Sequence, residues 1–242
     1  MNSPKKIRLD NALVMHKLVA TRSQAESYIK LGQVKVNGRV VTKPGFFVMP
    51  TDKLSFNQAE QYVSRAALKL ASVAEVLGLD FRKKTVLDVG SSTGGFTDYA
   101  LRRGARHVFA VDVGSNQLHP TLRDDPRIEL HEKTDIRDFS KPKAAIDIAL
   151  ADVSFISLRE VLPAVAKLVR DAGQIVAMVK PQFEAGERDV NKGVIKNDKI
   201  RRKILHDFES WSKKQFVIKA KADSTVTGAK GNRERFYLLQ LK

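Results

Sequence analysis

From residue 85 onward, short apolar runs alternate with segments of helical character. The runs are TVLDV (85–89), HVFAVDV (107–113), RIEL (127–130), IDIALADV (146–153) and QIVAMV (174–179), and helical spacing predicts helices over 94–103, 157–170 and 197–213. Such alternation predicts a parallel sheet covered by helices on both faces. Two further runs, FVIKAKA (216–222) and RFYLLQL (235–241), are expected to pair antiparallel at one sheet edge. Ahead of the sheet, YVSRAALKLASVAEVLG (62–78) sets Ala67, Leu70, Val73, Ala74 and Leu77 at the spacing of an amphipathic helix.

The first sixty residues follow a different pattern. Ser23-Gln24-Ala25-Glu26 has capping-box spacing and predicts a helix starting at Ser23. Ala25, Tyr28, Ile29 and Leu31 supply its apolar face, and Gly32 stands where a C-terminal cap belongs. QVKVNGRVV (33–41) then places Asn37-Gly38 between β-branched residues, a two-residue hairpin signal. TDKLSFNQAEQ (51–61) reads as a connection. The expected organisation is a small α+β domain over 1–55, a linker over 56–61 and a Rossmann-like α/β domain over 62–242.

The turn after the first apolar run, Gly90-Ser91-Ser92-Thr93-Gly94-Gly95, carries the most chemistry. A dinucleotide fingerprint needs glycine at position 92, where this chain has serine, and a Walker A loop needs a lysine after the last glycine. Asp88 precedes the turn. A carboxylate repels a pyrophosphate but attracts an ammonium, and S-adenosylmethionine carries an ammonium, a sulfonium, a ribose diol and an adenine, with no phosphate. Asp112 stands 22 residues after Gly90, where an acid takes ribose hydroxyls. Asp135 follows the third run and is placed to accept from the adenine amino group. All three acids fall at the carboxyl ends of strands, where open α/β sheets bind ligands. The expected cofactor set is Asp88, Gly90, Ser91, Thr93, Gly94, Gly95, Phe96, Asp112 and Asp135. The plain alternative is an ordinary glycine-rich turn, and the acids after the following strands weigh against it.

Composition narrows the reaction. The chain carries 43 lysines and arginines against 27 acids, a net charge of +16, which points to a polyanionic partner, either nucleic acid or an anionic membrane surface. No stretch approaches the roughly 18 apolar residues of a spanning helix, and the N-terminus lacks the apolar core of a signal peptide, so a cytoplasmic protein is expected. There is no cysteine. Iron–sulfur radical chemistry and cysteine-dependent ring methylation of pyrimidines are therefore excluded. The fourth run ends ADVSF, without the Asn/Asp-Pro-Pro-aromatic signature of exocyclic amino methyltransferases. A hydroxyl acceptor leads, with no metal in the reaction.

A hydroxyl nucleophile needs in-line placement and a proton acceptor. A lysine serves if burial or a neighbouring cation lowers its pKa. Lys180 directly follows five apolar residues, an unusual place for a lysine. Asp152 closes the fourth run, Lys69 lies on the helix ahead of the sheet and Glu234 opens the last strand. Singly, Lys69 reads equally as a solvated helix lysine and Glu234 as a partner of Arg233 or Arg235.

Together, in the order Lys-Asp-Lys-Glu, these four resemble the tetrad of FtsJ-like ribose 2′-O-methyltransferases. Residues 6–55, with RLDNAL, the GQVKVNG hairpin and VTKP, resemble the S4 RNA-binding domain. With YVSRAALKL, LDVGSSTGGFTD, AVDVGSNQL, ADVSFISL, VKPQFEAG and GNRERFYLL, the chain resembles the TlyA family over nearly its whole length. The resemblance implies S-adenosylmethionine-dependent 2′-O-methylation of a cytidine in ribosomal RNA, with 23S rRNA the target of short members. It implies Lys69, Asp152, Lys180 and Glu234 as catalytic residues, and RNA contact through Arg8, Arg22, Lys30, Lys35, Arg39 and Arg65. A monomer and a mobile substrate loop over 184–194 are expected. A haemolysin label attached to the family raises a membrane-active protein as an alternative, and an inert RNA-binding protein is a third reading.

Overall fold

The computed structural model describes residues 6–19, 21–56, 62–185, 194–195, 197–228 and 231–242. The N-terminal part comprises β1 (Ile7–Arg8), α1 (Leu9–Met15), α2 (Arg22–Lys30), β2 (Val34–Val36), β3 (Arg39–Val40), β4 (Phe47–Val48) and β5 (Leu54–Phe56). β3, β2 and β5 form a three-stranded sheet, and β1 pairs with β4. Asn37 and Gly38 both adopt positive φ, 51° and 80°, the I′ geometry that matches strand twist and explains the hairpin signal. α2 begins earlier than the Ser23 start expected. Thr21 is extended and its hydroxyl accepts from the Gln24 amide, so Thr21 is the N-cap and Arg22 the first helical residue. Ala25, Tyr28 and Ile29 are buried as their spacing predicts, while Leu31 serves as the C-cap. Of the expected linker, residues 57–61 lie outside the described residues, as do 186–193 of the expected substrate loop.

α3 (Arg65–Ala74) leads into the second part, whose elements are β6 (Thr85–Val89), α4 (Gly95–Arg102), β7 (His107–Val111), α5 (Pro120–Arg123), β8 (Ile128–His131), β9 (Ile146–Ala151), α6 (Leu158–Leu168), β10 (Val169–Val179), α7 (Pro181–Glu184), α8 (Asp198–Ser212), β11 (Phe216–Asp223) and β12 (Arg235–Leu241). Seven strands form one sheet in the order β11-β12-β10-β9-β6-β7-β8. β10, β9, β6, β7 and β8 run parallel, and β12 and β11 close one edge antiparallel, as the last two apolar runs predict. β10 starts five residues earlier than QIVAMV, because the chain turns extended at Val169 and its register with β9 breaks before Gln174.

Two apolar clusters lie on the two faces of the sheet. On one face α6 and α8 pack Leu162, Val165, Leu205 and Phe208 over the strands. On the other, α3 and α4 contribute Leu68, Leu70, Phe96 and Tyr99, and the cluster runs on without a break into Leu9, Leu13, Tyr28 and Ile29 of the N-terminal part. Each such fully buried side chain is worth roughly 1.5–3 kcal/mol, so this continuity ties the two parts together. Polar bonds add to the junction: the Tyr62 amide donates to the Tyr28 hydroxyl at 3.0 Å, and the Val63 amide donates to the Asp98 carboxylate at 2.9 Å.

Chain order reverses between β6 and β9, since β7 and β8 extend the sheet one way and β9 resumes on the other side of β6. That reversal opens a crevice at the strands' carboxyl ends. At its edge Gly95 starts α4 against α3. A Cβ on Gly95 would lie 2.2 Å from Ser64 Oγ and 3.0 Å from the Ala67 backbone nitrogen. Gly95→Ala should therefore push α3 and α4 apart and lower stability by about 1–3 kcal/mol, read as a lower urea midpoint with an unchanged slope.

Candidate active site

The crevice holds two adjoining cavities that share Gly90, Ser92, Asp152 and Ser154. The larger, about 350 Å³, lies past β7 and β8 between Asp112 and Asp135, with apolar walls from Ile136, Val153 and Ile156. The smaller, about 150 Å³, lies between the glycine turn and Lys180, with Asp88, Ser91 and Thr93 in its wall. The backbone makes this possible at one position. Gly90 has φ +80°, and a Cβ there would lie 2.6 Å from the Asp152 carbonyl oxygen. Glycine thus lets the ends of β6 and β9 close to backbone contact, with the Asp152 amide donating to Val89 O at 2.9 Å.

The three acids play different parts. Asp88 is buried, and its Oδ2 accepts from the Thr97 amide at 2.9 Å and the Thr97 hydroxyl at 2.6 Å, which pins the start of α4. Its Oδ1 is buried with no hydrogen-bond partner, as is Ser91 Oγ beside it in the same cavity wall. Burial raises the Asp88 pKa to about 7; the Thr97 bonds oppose this and the Asp152 charge adds to it. Asp112 accepts from the Ser92 amide at 2.8 Å and the Gly114 amide at 2.7 Å, so it shapes two turns while its remaining lone pairs face the larger cavity. Asp135 also lines that cavity, but both its oxygens are held by Arg137, at 2.9–3.0 Å on one and 2.7 Å on the other, which keeps its pKa below the usual carboxylate range. Its capacity for an adenine amino group is what Arg137 leaves free.

The structure places two glycines of the expected cofactor set outside the two cavity walls. Neither Gly94 nor Gly95 lines either cavity. Gly94 caps α4 at φ +88°, where a Cβ would meet Leu122 and Leu118 at 2.5 and 2.6 Å, and Gly95 faces α3. Their small size serves helix packing. Gly90, Ser91, Thr93 and Phe96 do line the cavities, Phe96 with its ring 6.1 Å from that of Phe236.

Of the four tetrad residues, Asp152 and Lys180 line the smaller cavity, and the Lys69–Glu234 pair lies within electrostatic reach of them. β10 runs beside β9 with Ala177 opposite Ala151 and beside β12 with Val179 opposite Arg235. Continuing both registers sets Lys180 beside Ser154 on one side and Glu234 on the other. Lys180 Nζ lies 2.6 Å from Asp152 Oδ1 and donates to Ser154 Oγ at 2.7 Å. Lys69 Nζ lies 2.7 Å from Glu234 Oε2, both side chains nearly out of water. Burial raises the Glu234 pKa, against the pull of Lys69 and of Lys180, and the Asp152 charge raises it further. The four groups therefore form one electrostatic unit of two amines and two acids. Arg235 does not take Glu234 as its partner; it bonds Asp223 at 2.7 and 3.0 Å.

Some site residues escape sequence reasoning. Ser154 is bonded to Lys180 and lines both cavities, yet an isolated serine two positions after Asp152 carries no signal of its own. Ser92, at φ +46°, holds Asp112 through its amide and Gln117 through its hydroxyl. Phe155 is 91% exposed at the cavity mouth with φ +65°, strained for a bulky residue.

The cationic residues divide by their bonding. Arg8 and Arg22 both bind the buried Asp10 carboxylate, and these bonds with the Asn11 amide hold its pKa down although burial pushes it up. Lys35 and Arg39 are exposed on β2 and β3. Lys30 and Arg65 line one cleft between α2 and the turn before β12, where Arg65 also donates to Thr227 O at 2.7 Å.

Residues 62–241 match the family model of FtsJ-like methyltransferases, and residues 7–54 match that of the S4 domain. A Mycobacterium tuberculosis 16S/23S rRNA (cytidine-2′-O)-methyltransferase, TlyA, is 40% identical over 199 residues, 80% of this chain and 74% of its own. A Campylobacter jejuni 23S rRNA (cytidine-2′-O)-methyltransferase, also TlyA, is 43% identical over 195 residues, 78% of this chain and 76% of its own. The solved structure of a Streptococcus thermophilus protein, provisionally named a hemolysin, is 37% identical and superposes with a TM-score of 0.72 over 99% of this chain and 90% of its own. FtsJ-like methyltransferases use S-adenosylmethionine. The residues present fit it: the unpartnered Asp88 Oδ1 and Ser91 Oγ suit an ammonium, and the larger cavity, acid-edged and apolar-walled, suits a nucleoside. With both modules in this order and relatives at this identity along most of its length, the chain belongs to the TlyA family of FtsJ-like methyltransferases that carry an S4 domain.

Proposed function

We propose that this protein methylates the 2′-hydroxyl of a cytidine in ribosomal RNA, 23S rRNA being the target that both curated relatives name. The observation that carries the reading is Lys180 Nζ, held between Asp152 and Ser154 where the two cavities join. Bound S-adenosylmethionine supplies an electrophilic methyl group on a positively charged sulfur. Asp88 and Ser91 hold its ammonium, Asp112 its ribose hydroxyls, and Asp135 its adenine edge. Lys180, as the neutral amine, would orient the substrate hydroxyl toward the smaller cavity and take its proton, directly or through water, as the oxygen–methyl bond forms and the sulfur–methyl bond breaks to leave a neutral thioether. Asp152 fixes the Lys180 amine, Glu234 fixes the Lys69 amine, and Lys69 steadies the oxygen as negative charge develops on it. Residues 1–55 serve RNA binding and 62–242 catalysis, the cations of α2 and the β2–β3 hairpin gripping phosphates.

A membrane-active role finds little support. Among the described residues no helix is long and apolar enough to cross a membrane. The assembled tetrad speaks against an inert RNA-binding protein.

Two measurements test the reading. Lys180→Ala should abolish transfer of a tritiated methyl group to ribosomal subunits while leaving calorimetric S-adenosylmethionine affinity within a few-fold; turnover in that variant rejects Lys180 as the proton acceptor. The second uses pH. The ammonium pairs with ionised Asp88, whose pKa is raised by burial to about 7. Donor affinity should therefore rise several-fold from pH 6 to about pH 7.5, because protonated Asp88 must lose its proton before it pairs while the donor's own ammonium is still largely charged. In Asp88→Asn affinity should be weaker and flat over that range, and an unchanged slope would remove Asp88 from the donor site.

A further inference from the structure

We propose that Phe47 and the guanidinium of Arg8 form a stacking platform for an unpaired RNA base, a subsite that rests on the RNA-modifying reading above and directs it toward single-stranded segments. β1 and β4 pair antiparallel with Ile7 opposite Val48 and Arg8 opposite Phe47. Strand alternation sends Val48 inward, 1% exposed, and Phe47 outward, 60% exposed. Directly opposite residues share a face, so Arg8 and Phe47 leave the ladder on the same side, and both side chains remain partly exposed.

Arg8 is held in place there. Its Nε and Nη2 donate to the two oxygens of Asp10 at 3.0 and 2.7 Å, and Asp10 is fully buried. Gly45 lies against the same guanidinium, where a Cβ would come within 3.2 Å of Nη1. The fork is thus fixed along one edge by a carboxylate and approached by bare backbone, while the Arg8 side chain stays 40% exposed. Arg22, which also pairs with Glu26, donates to the same Asp10 at 3.1 Å and brings a second guanidinium beside the first.

A single exposed phenylalanine is ordinary on a protein surface. A ring on the same strand face as an immobilised, part-exposed arginine, in an S4 domain, is not. Aromatic rings and guanidinium planes are the two side-chain surfaces on which splayed-out bases stack. A base inside a duplex has both its faces covered by its neighbours, so the platform favours loops and unpaired ends.

The test uses the full chain and a fluorescent RNA of roughly twelve nucleotides, a length that spans one such binding module, offered as a single strand and annealed to its complement. Phe47→Ala should weaken single-strand binding about tenfold, and Phe47→Trp should restore it to within about twofold. Duplex affinity should not change. The slope of log Kd against log salt should also stay the same, because no cation is lost. The proposal is overturned by equal losses on both RNAs, by unchanged binding, by a Trp variant as weak as the Ala variant, or by a wild-type protein that does not favour the single strand. Methyl transfer to ribosomal subunits by the wild type reads the reaction separately. Transfer with unaltered Phe47→Ala binding rejects only the platform. No transfer, with single-strand binding lost in Phe47→Ala, rejects only the reaction.

Discussion

The site depends on one backbone approach. β6 and β9 end within contact of each other because position 90 has no side chain, and a Cβ there would strike the Asp152 carbonyl at 2.6 Å. From that approach the rest is set by strand register. Asp152 emerges beside the glycine turn, β10 places Lys180 next to it, and β12 places Glu234 on the far side of Lys180. The crevice and the placement of Lys180 are therefore two consequences of the same reversal in strand order.

The tetrad makes chemical sense as a balanced set. Buried lysines and buried carboxylates are each unfavourable alone, and each lysine here has an acid within 2.7 Å. Pairing lets both amines stand largely out of water, Lys180 in the wall of the smaller cavity. Glu234 is the most deeply placed member, and the backbone around it is braced on both flanks. Arg201 donates to Arg233 O at 3.0 Å, and Arg235 binds Asp223, which Arg201 also reaches at 2.6 Å. Gly228 makes room for its carboxylate, since a Cβ there would lie 2.8 Å from Glu234 Oε1.

Much of this was legible along the chain because it depends on local pattern. The apolar runs marked β6, β7, β8 and β9, the core of β10 and the antiparallel edge, and Asn37-Gly38 marked its hairpin. Acids at strand ends are visible in a sequence once the strands are. Short elements without periodicity were not legible: α1, α5 and α7 have too few residues to show a helical stripe. The start of α2 was misplaced because Thr21 and Ser23 are both good caps, and backbone geometry, not residue type, chose Thr21.

The glycine turn shows where sequence reasoning stops. Gly90, Gly94 and Gly95 look alike in the chain, but only Gly90 borders the cavity; the other two are small because α3 and α5 press on them. Likewise Asp88, Asp112 and Asp135 share a strand-end position, yet Thr97 occupies half of one, two turn amides hold another and Arg137 encloses the third. By itself the sequence determined the main strands and helices of the large sheet and the absence of thiol chemistry, since these follow from residue type and spacing, while the four tetrad residues stood out only through the resemblance to FtsJ-like enzymes. Only the tertiary structure decided which glycines serve the cavity, which lone pairs remain free and that Ser154 meets Lys180, because these depend on contacts between segments far apart in the chain.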